Sequence, residues 1–251
     1  MSAVAISALV FASVFGGALA GIALRAALPE HHLSSESKEV IKLSMGLVAT
    51  MSALVLGLLV ASAKSSYDTQ DKEVTELSSR AALLDRVLAR IGPETQETRA
   101  LLRGALSAAI DRMEPPDSTG KVDLGPPSVG AEGISDRILT LVPKDDRQRE
   151  LKAQAIALVL ELSQTRWLMF EQRATTFSKT FLVIVVCWLT IIFMSFGLYA
   201  KPNGTVTSAL FVAAFSVSTA IFLILEMYAP YSGLIRISMA PLRVALAHLG
   251  Q

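Results

Sequence analysis

The chain has 251 residues, 52% of them hydrophobic, and a formal net charge of +1. So apolar a composition, gathered into discrete runs, excludes an ordinary soluble domain and indicates an integral membrane protein. With no block of like charge there is no patch for nucleic acid, and a single cysteine, Cys187, allows neither an intrachain disulfide nor a cysteine-based metal site.

The first apolar run, residues 3–24, is long enough to cross a bilayer, which takes roughly 20 residues in a helix. Ala18 and Ala20 flank Leu19 in a cleavage-like pattern. No Lys or Arg precedes the run, however, and its apolar core is longer than a signal h-region, so it reads as a retained span. His31 and His32 follow. Being adjacent, they would point to different faces of a helix and do not form the i, i+4 pair of a zinc site.

The second span, residues 40–63, tolerates Lys42 at its margin because a lysine stem can reach the interface. Its pattern is unusual. Gly46, Thr50, Ala53, Gly57, Ala61 and Lys64 recur every three or four positions, with Lys42 four residues earlier, so all seven share one helix face. Every member between the lysines is small or weakly polar. Such a stripe lets two membrane helices approach closely. Close packing is the commonest reason for such a stripe; the alternative is that it lines a pore, with Lys42 and Lys64 forming positive rings roughly 33 Å apart at helical rise.

Residues 65–178 read as a water-exposed helical region. Val74, Leu77, Ala81, Leu84, Leu88 and Ile91 recur at helical spacing, with Asp71, Glu73, Arg80, Asp85 and Arg86 on other faces. This amphipathic helix continues the second span and stops at Gly92. Pro93 suits the first turn of a new helix, on which Leu101, Leu102, Ala105, Ala109 and Ile110 pack back to make a hairpin. Residues 114–133, rich in Pro and Gly, predict a flexible loop. A short helix over 134–142 follows. Asp145 and Asp146 then signal a helix start, from which a long run leads toward the third span. Its packed face holds Leu151, Ala155, Leu158, Leu162, Thr165 and Trp167 or Leu168.

The third and fourth spans are 181–200 and 205–228. Glu226 lies at the inner boundary, where it reads as a carboxylate paired with Lys179 or Arg173, or else as an ion site. Residues 231–249 predict an interfacial helix, with Arg236 and Arg243 toward water and leucines toward lipid or protein. Lys64, Lys72, Arg80, Arg166, Arg173, Lys179, Arg236 and Arg243 fall on one side of the spans. Arg25, Lys38, Lys42 and Lys201 fall on the other. That bias places both termini and the central region in the cytosol.

The stretches ALRAALPEHHLSSESKEVIKLSMGLVATMSALVLGLLVASAKSSYDTQ, LLDRVLARIGPETQETRALLR and PYSGLIRISMAPLRVALAHLG resemble the bestrophin-like family of bacterial membrane proteins, whose function is not established. The resemblance covers nearly the whole chain. It implies a distant similarity to bestrophins, pentameric anion channels with four spans per subunit. Bestrophins narrow their pore with bulky apolar residues on the second span, whereas the corresponding face here is small.

These readings predict an all-α, four-span transmembrane protein, a single domain over 1–251, whose membrane helices extend into a cytosolic bundle. It is expected in the bacterial inner membrane, as a homo-oligomer in the lipid bilayer acting on an inorganic anion as a channel or transport-related protein. The alternative is a non-conducting scaffold or signalling protein whose bundle binds a partner. No glycine-rich phosphate loop, activated-serine motif or zinc spacing occurs, so no catalytic residue, cofactor or metal is expected.

Overall fold

The computed structural model describes residues 2–29, 35–114, 129–174, 179–200 and 203–250. The described residues form eight α-helices: α1 Ala3–Ala27, α2 Ser35–Ile91, α3 Gln96–Met113, α4 Val129–Thr140, α5 Asp146–Ala174, α6 Lys179–Tyr199, α7 Gly204–Met227 and α8 Ala240–His248. Four of them, α1, α2, α6 and α7, are long and apolar enough to cross a membrane. The chain divides into two compact units. Residues 1–66 and 177–228 make the first, and residues 67–176 and 229–251 the second, so α2 contributes to both.

In the first unit α1 and α6 are joined through backbone. Gly17 and Gly21 of α1 are one helical turn apart, and a Cβ added at Gly21 would fall on the carbonyl oxygen of Met194. One at Gly197 of α6 would fall on the carbonyl oxygen of Ala18, and one at Gly17 would lie 2.8 Å from Thr190 Cγ2. Helices in lipid gain no hydrophobic drive from associating, so close van der Waals approach of this kind has to hold them together. Polar contacts add to it. Ser218 of α7 donates to the Ser7 carbonyl of α1 (2.6 Å), a buried bond between helices. Arg25 Nη1 donates to the Ala200 carbonyl just past the end of α6 (3.0 Å). Phe11 and Phe15 meet Phe211 edge-on, with ring centroids 5.3 and 5.5 Å apart. On α2, Leu59 and Ala63 are buried in one cluster with Val185 and Ile224.

The second unit is built around the amphipathic half of α2. Val74, Leu77, Ala81, Leu84, Leu88 and Ile91 are all buried in its core, as the helical spacing requires. The helix ends at Gly92, whose φ of 143° favours glycine. A 3-10 turn, Pro93–Thr95, then leads into α3. The buried Thr95 hydroxyl lies 2.7 Å from the Leu88 carbonyl and 2.8 Å from that of Gly92, supplying one donor to the end of α2. Gln148 Nε2 donates to the Ile91 carbonyl (2.8 Å) from the first turn of α5. Asp145 caps that turn, accepting from the Gln148 N–H (2.6 Å). The Glu94 carboxyl is held below the usual carboxylate range by its own backbone N–H, with Lys144 adding to the effect.

Several details depart from the sequence reading. Helix α4 starts at Val129, inside the stretch expected to be loop, while residues 115–128 lie outside the described residues. Residues 175–178 do as well, so the junction from α5 to the third span is not described. Leu101 is exposed, and Leu106 is buried in its stead. On α5 Trp167 and Leu168 are exposed, at 52% and 45%, while Met169 is buried. The reason is angular: Met169 lies four residues past the buried Thr165, where the helix brings the same face around again.

The largest departures concern Asp85 and the C-terminal segment. Asp85, placed by the sequence on a solvent face, is 3% exposed and takes a two-pronged bond from Arg99 (2.8 Å to each oxygen). That hydrogen bond raises the affinity of Arg99 for its proton. Asp85 also accepts from the Gly250 N–H (3.1 Å), and Ser78 donates to the Pro241 carbonyl (2.7 Å). Residues 231–249 are therefore not one interfacial helix. Only Ala240–His248 is helical, and Tyr231, Ile237, Leu242 and Leu249 are buried in the core of the second unit.

The glycine contact gives a direct test. Gly21→Leu should force α1 and α6 apart and destabilise the protein by about 3 kcal/mol or more, at the upper end of overpacking costs. Gly16→Leu should cost much less, because a Cβ there meets nothing within 4 Å. Unfolding of both variants in detergent, followed by circular dichroism, checks the difference.

Candidate functional site on the second membrane helix

The membrane half of α2 presents three faces. The inner one carries Ser52, Leu59 and Ala63, all buried. A second carries Leu43, Leu47, Leu54 and Leu58, each more than 60% exposed. The third is the small stripe, and all seven of its residues, Lys42, Gly46, Thr50, Ala53, Gly57, Ala61 and Lys64, are exposed on the subunit. At about 100° per residue the stripe and the leucine face point roughly 90° apart. The helix therefore offers a bulky apolar surface and a narrow small one side by side, both exposed.

Nothing lies within 4 Å of a Cβ built at Gly46 or Gly57. The stripe is thus not a seam inside the chain, a role filled by Gly17, Gly21 and Gly197. It remains open to a neighbouring subunit or to a conduction path. Its polar groups suit a low-dielectric setting. Thr50 Oγ1 donates to the Gly46 carbonyl (2.9 Å), so its hydroxyl proton is satisfied within the helix. Ser44 does the same with Val40 (2.9 Å). Among the described residues Lys42 has no ion-pair partner, which leaves its charge available at one end of the stripe.

The remaining sequence candidates fall apart from this surface or outside view. Glu226 sits in the last turn of α7 and is 5% exposed. The side chains of Arg173 and Lys179, its expected partners, lie outside the described residues. His31 and His32 do too, and His248 is exposed at the end of α8. Cys187 is an exposed free thiol on α6. Among the described residues no cluster of His, Cys, Asp and Glu could hold a metal ion.

The sequence reading missed two features that carry the architecture. Gly17 and Gly21 stand in the four-residue spacing that marks close helix contact, a signal visible in GALAG. Asp85 and Arg99 lie fourteen residues apart across the Gly92 turn, and only the hairpin geometry pairs them.

A family model, the Bestrophin-like domain, matches residues 12–242. No curated protein and no solved structure matches significantly.

Substitution of a small stripe residue should leave the fold of the chain intact. Gly57→Leu should preserve helix content and shift unfolding of the isolated subunit little, since its Cβ enters open space. A change in particle mass with no change in unfolding would place the stripe at a contact between copies of the chain. Light scattering beside thermal unfolding separates the two effects.

Proposed function

Because this chain belongs to the bestrophin-like family, we propose that it is an oligomeric anion channel of the bacterial inner membrane, with the small stripe of α2 turned toward the shared path. The observation that carries this reading is the position of the stripe: seven residues of one face, lysine at both ends, exposed on a subunit whose other membrane helices are packed through different residues. A wall of Gly, Ala and Thr leaves room for a permeating ion once several copies surround an axis. The leucine face beside it gives each copy an apolar surface for lipid or for its neighbour.

The lysines give the path its sign. A ring of Lys42 side chains raises the local anion concentration over a range set by ionic strength, about 10 Å at 0.1 M. The bias of Lys and Arg toward the ends of the spans next to residues 65–178 supports a cytosolic bundle and cytosolic termini. In this reading the protein performs no catalysis and needs no cofactor.

Lys42→Glu tests the proposal in liposomes. Anion flux should fall, most at low salt, and the reversal potential should move toward cation preference, while oligomer mass stays the same. A wild-type protein that carries no ions would instead favour the non-conducting scaffold. A conducting wild type with an unchanged Lys42→Glu variant would move the path off this face.

A further inference from the structure

The second unit contains a cavity of about 60 Å³ between α2, α3, α4 and α5. Its wall is almost wholly aliphatic, with Leu77 of α2, Leu102 and Ala105 of α3 and Leu162 of α5 among the lining side chains. The two polar exceptions are Ser163 and Arg166. Three residues apart on α5, they lie on one face of that helix.

Both are unspent. Among the described residues Arg166 makes no hydrogen bond and no ion pair, and the Ser163 hydroxyl has no partner either. Their neighbour Thr165, by contrast, donates to the Glu161 carbonyl (3.0 Å). The charge that bears on Arg166 is of the same sign. Arg112 of α3 repels it, and the Nε of Arg112 is already bound to the Ala108 carbonyl (3.0 Å). Burial first, and Arg112 second, lower the affinity of Arg166 for its proton, although a guanidinium stays charged at any physiological pH. A half-buried cation against an aliphatic wall costs free energy unless an anion meets it. The other buried ionic site of this unit, Asp85 with Arg99, has its partner built in. Among the described residues no carboxylate meets Arg166.

We propose that the cavity binds a small aliphatic monocarboxylate, its carboxylate on the Arg166 guanidinium and the Ser163 hydroxyl and its tail against Leu77, Leu102 and Ala105. Size and lining select this class. The space holds roughly four to six water-sized groups, enough for a short alkyl tail. The apolar wall offers nothing to a polyanion, whose remaining charges would be buried without partners. Planar, forked hydrogen bonding is what a guanidinium offers a carboxylate. The proposal does not rest on the channel reading and is tested without measuring flux.

The experiment is calorimetric titration of the purified full-length protein in detergent with pentanoate at fixed ionic strength, with pentanol and chloride as controls. Pentanoate should bind saturably, while neither pentanol, which has the tail alone, nor chloride, which has the charge alone, should compete. Arg166→Gln should weaken pentanoate binding about tenfold or more, and Ala105→Leu, which fills the cavity, should abolish it. The proposal is overturned by the absence of saturable pentanoate binding, by equal binding of chloride or pentanol, or by unchanged affinity in Arg166→Gln. Should Arg166→Gln fail to fold, unchanged affinity in Ala105→Leu overturns it alone.

Discussion

The backbone contact of α1 with α6 is the constraint on which the first unit rests. Gly21 and Gly197 present their Cα atoms to carbonyl oxygens of the opposite helix, and no other residue type fits either position without moving a backbone. Lipid offers the same apolar surroundings as a neighbouring leucine, so stability there comes from closeness and from satisfied polar groups. The Ser218 bond to Ser7 and the Arg25 bond to Ala200 extend the same logic, since each removes a polar group from hydrocarbon. With α1, α6 and α7 held in this way, α2 needs only its inner face for the subunit. Its two outer faces are left over, and a membrane protein that leaves a small stripe between two lysines unpacked has a surface to explain.

The second unit follows a different rule, that of a bundle of amphipathic helices. Its core repeats the apolar periodicity of α2, and its turn is fixed by the positive φ of Gly92 and by Thr95 and Gln148, whose side chains bond carbonyls of the last turn of α2. Two of its charged sites contrast. Asp85 and Arg99 form a closed pair that also holds the C-terminal segment through Gly250. Arg166 stands open against an aliphatic cavity. Breaking the first by removing one partner would leave a buried charge exposed to the same penalty that the second already carries.

Hydropathy and helical spacing alone made the helices legible: the four spans, the run of α2 through to Gly92, and the six core positions from Val74 to Ile91 can all be read along the chain. What was illegible depends on contacts between distant segments. Asp85 looked like a solvated charge because its partner is across a turn, and the segment after Pro230 looked interfacial because its leucines could not be assigned a core before the bundle existed. Leu101 and Trp167 show the limit of periodicity, which fixes a face only to within about one residue. The stripe on α2 is the intermediate case. Its seven members were visible as one face, but the sequence could not decide whether that face meets another helix of the same chain, and the open space at Gly46 and Gly57 answers that it does not.

The central claim is that this face borders water in the assembled protein. Single cysteines placed along residues 46–58 in a Cys187→Ser background, probed in liposomes with a membrane-impermeant thiol reagent, test it most directly. The account predicts labelling at Gly46→Cys, Thr50→Cys, Ala53→Cys and Gly57→Cys, in the period of the helix, and protection at Leu47→Cys, Leu54→Cys and Leu58→Cys. Labelling on the leucine face with protection of the small stripe would contradict it.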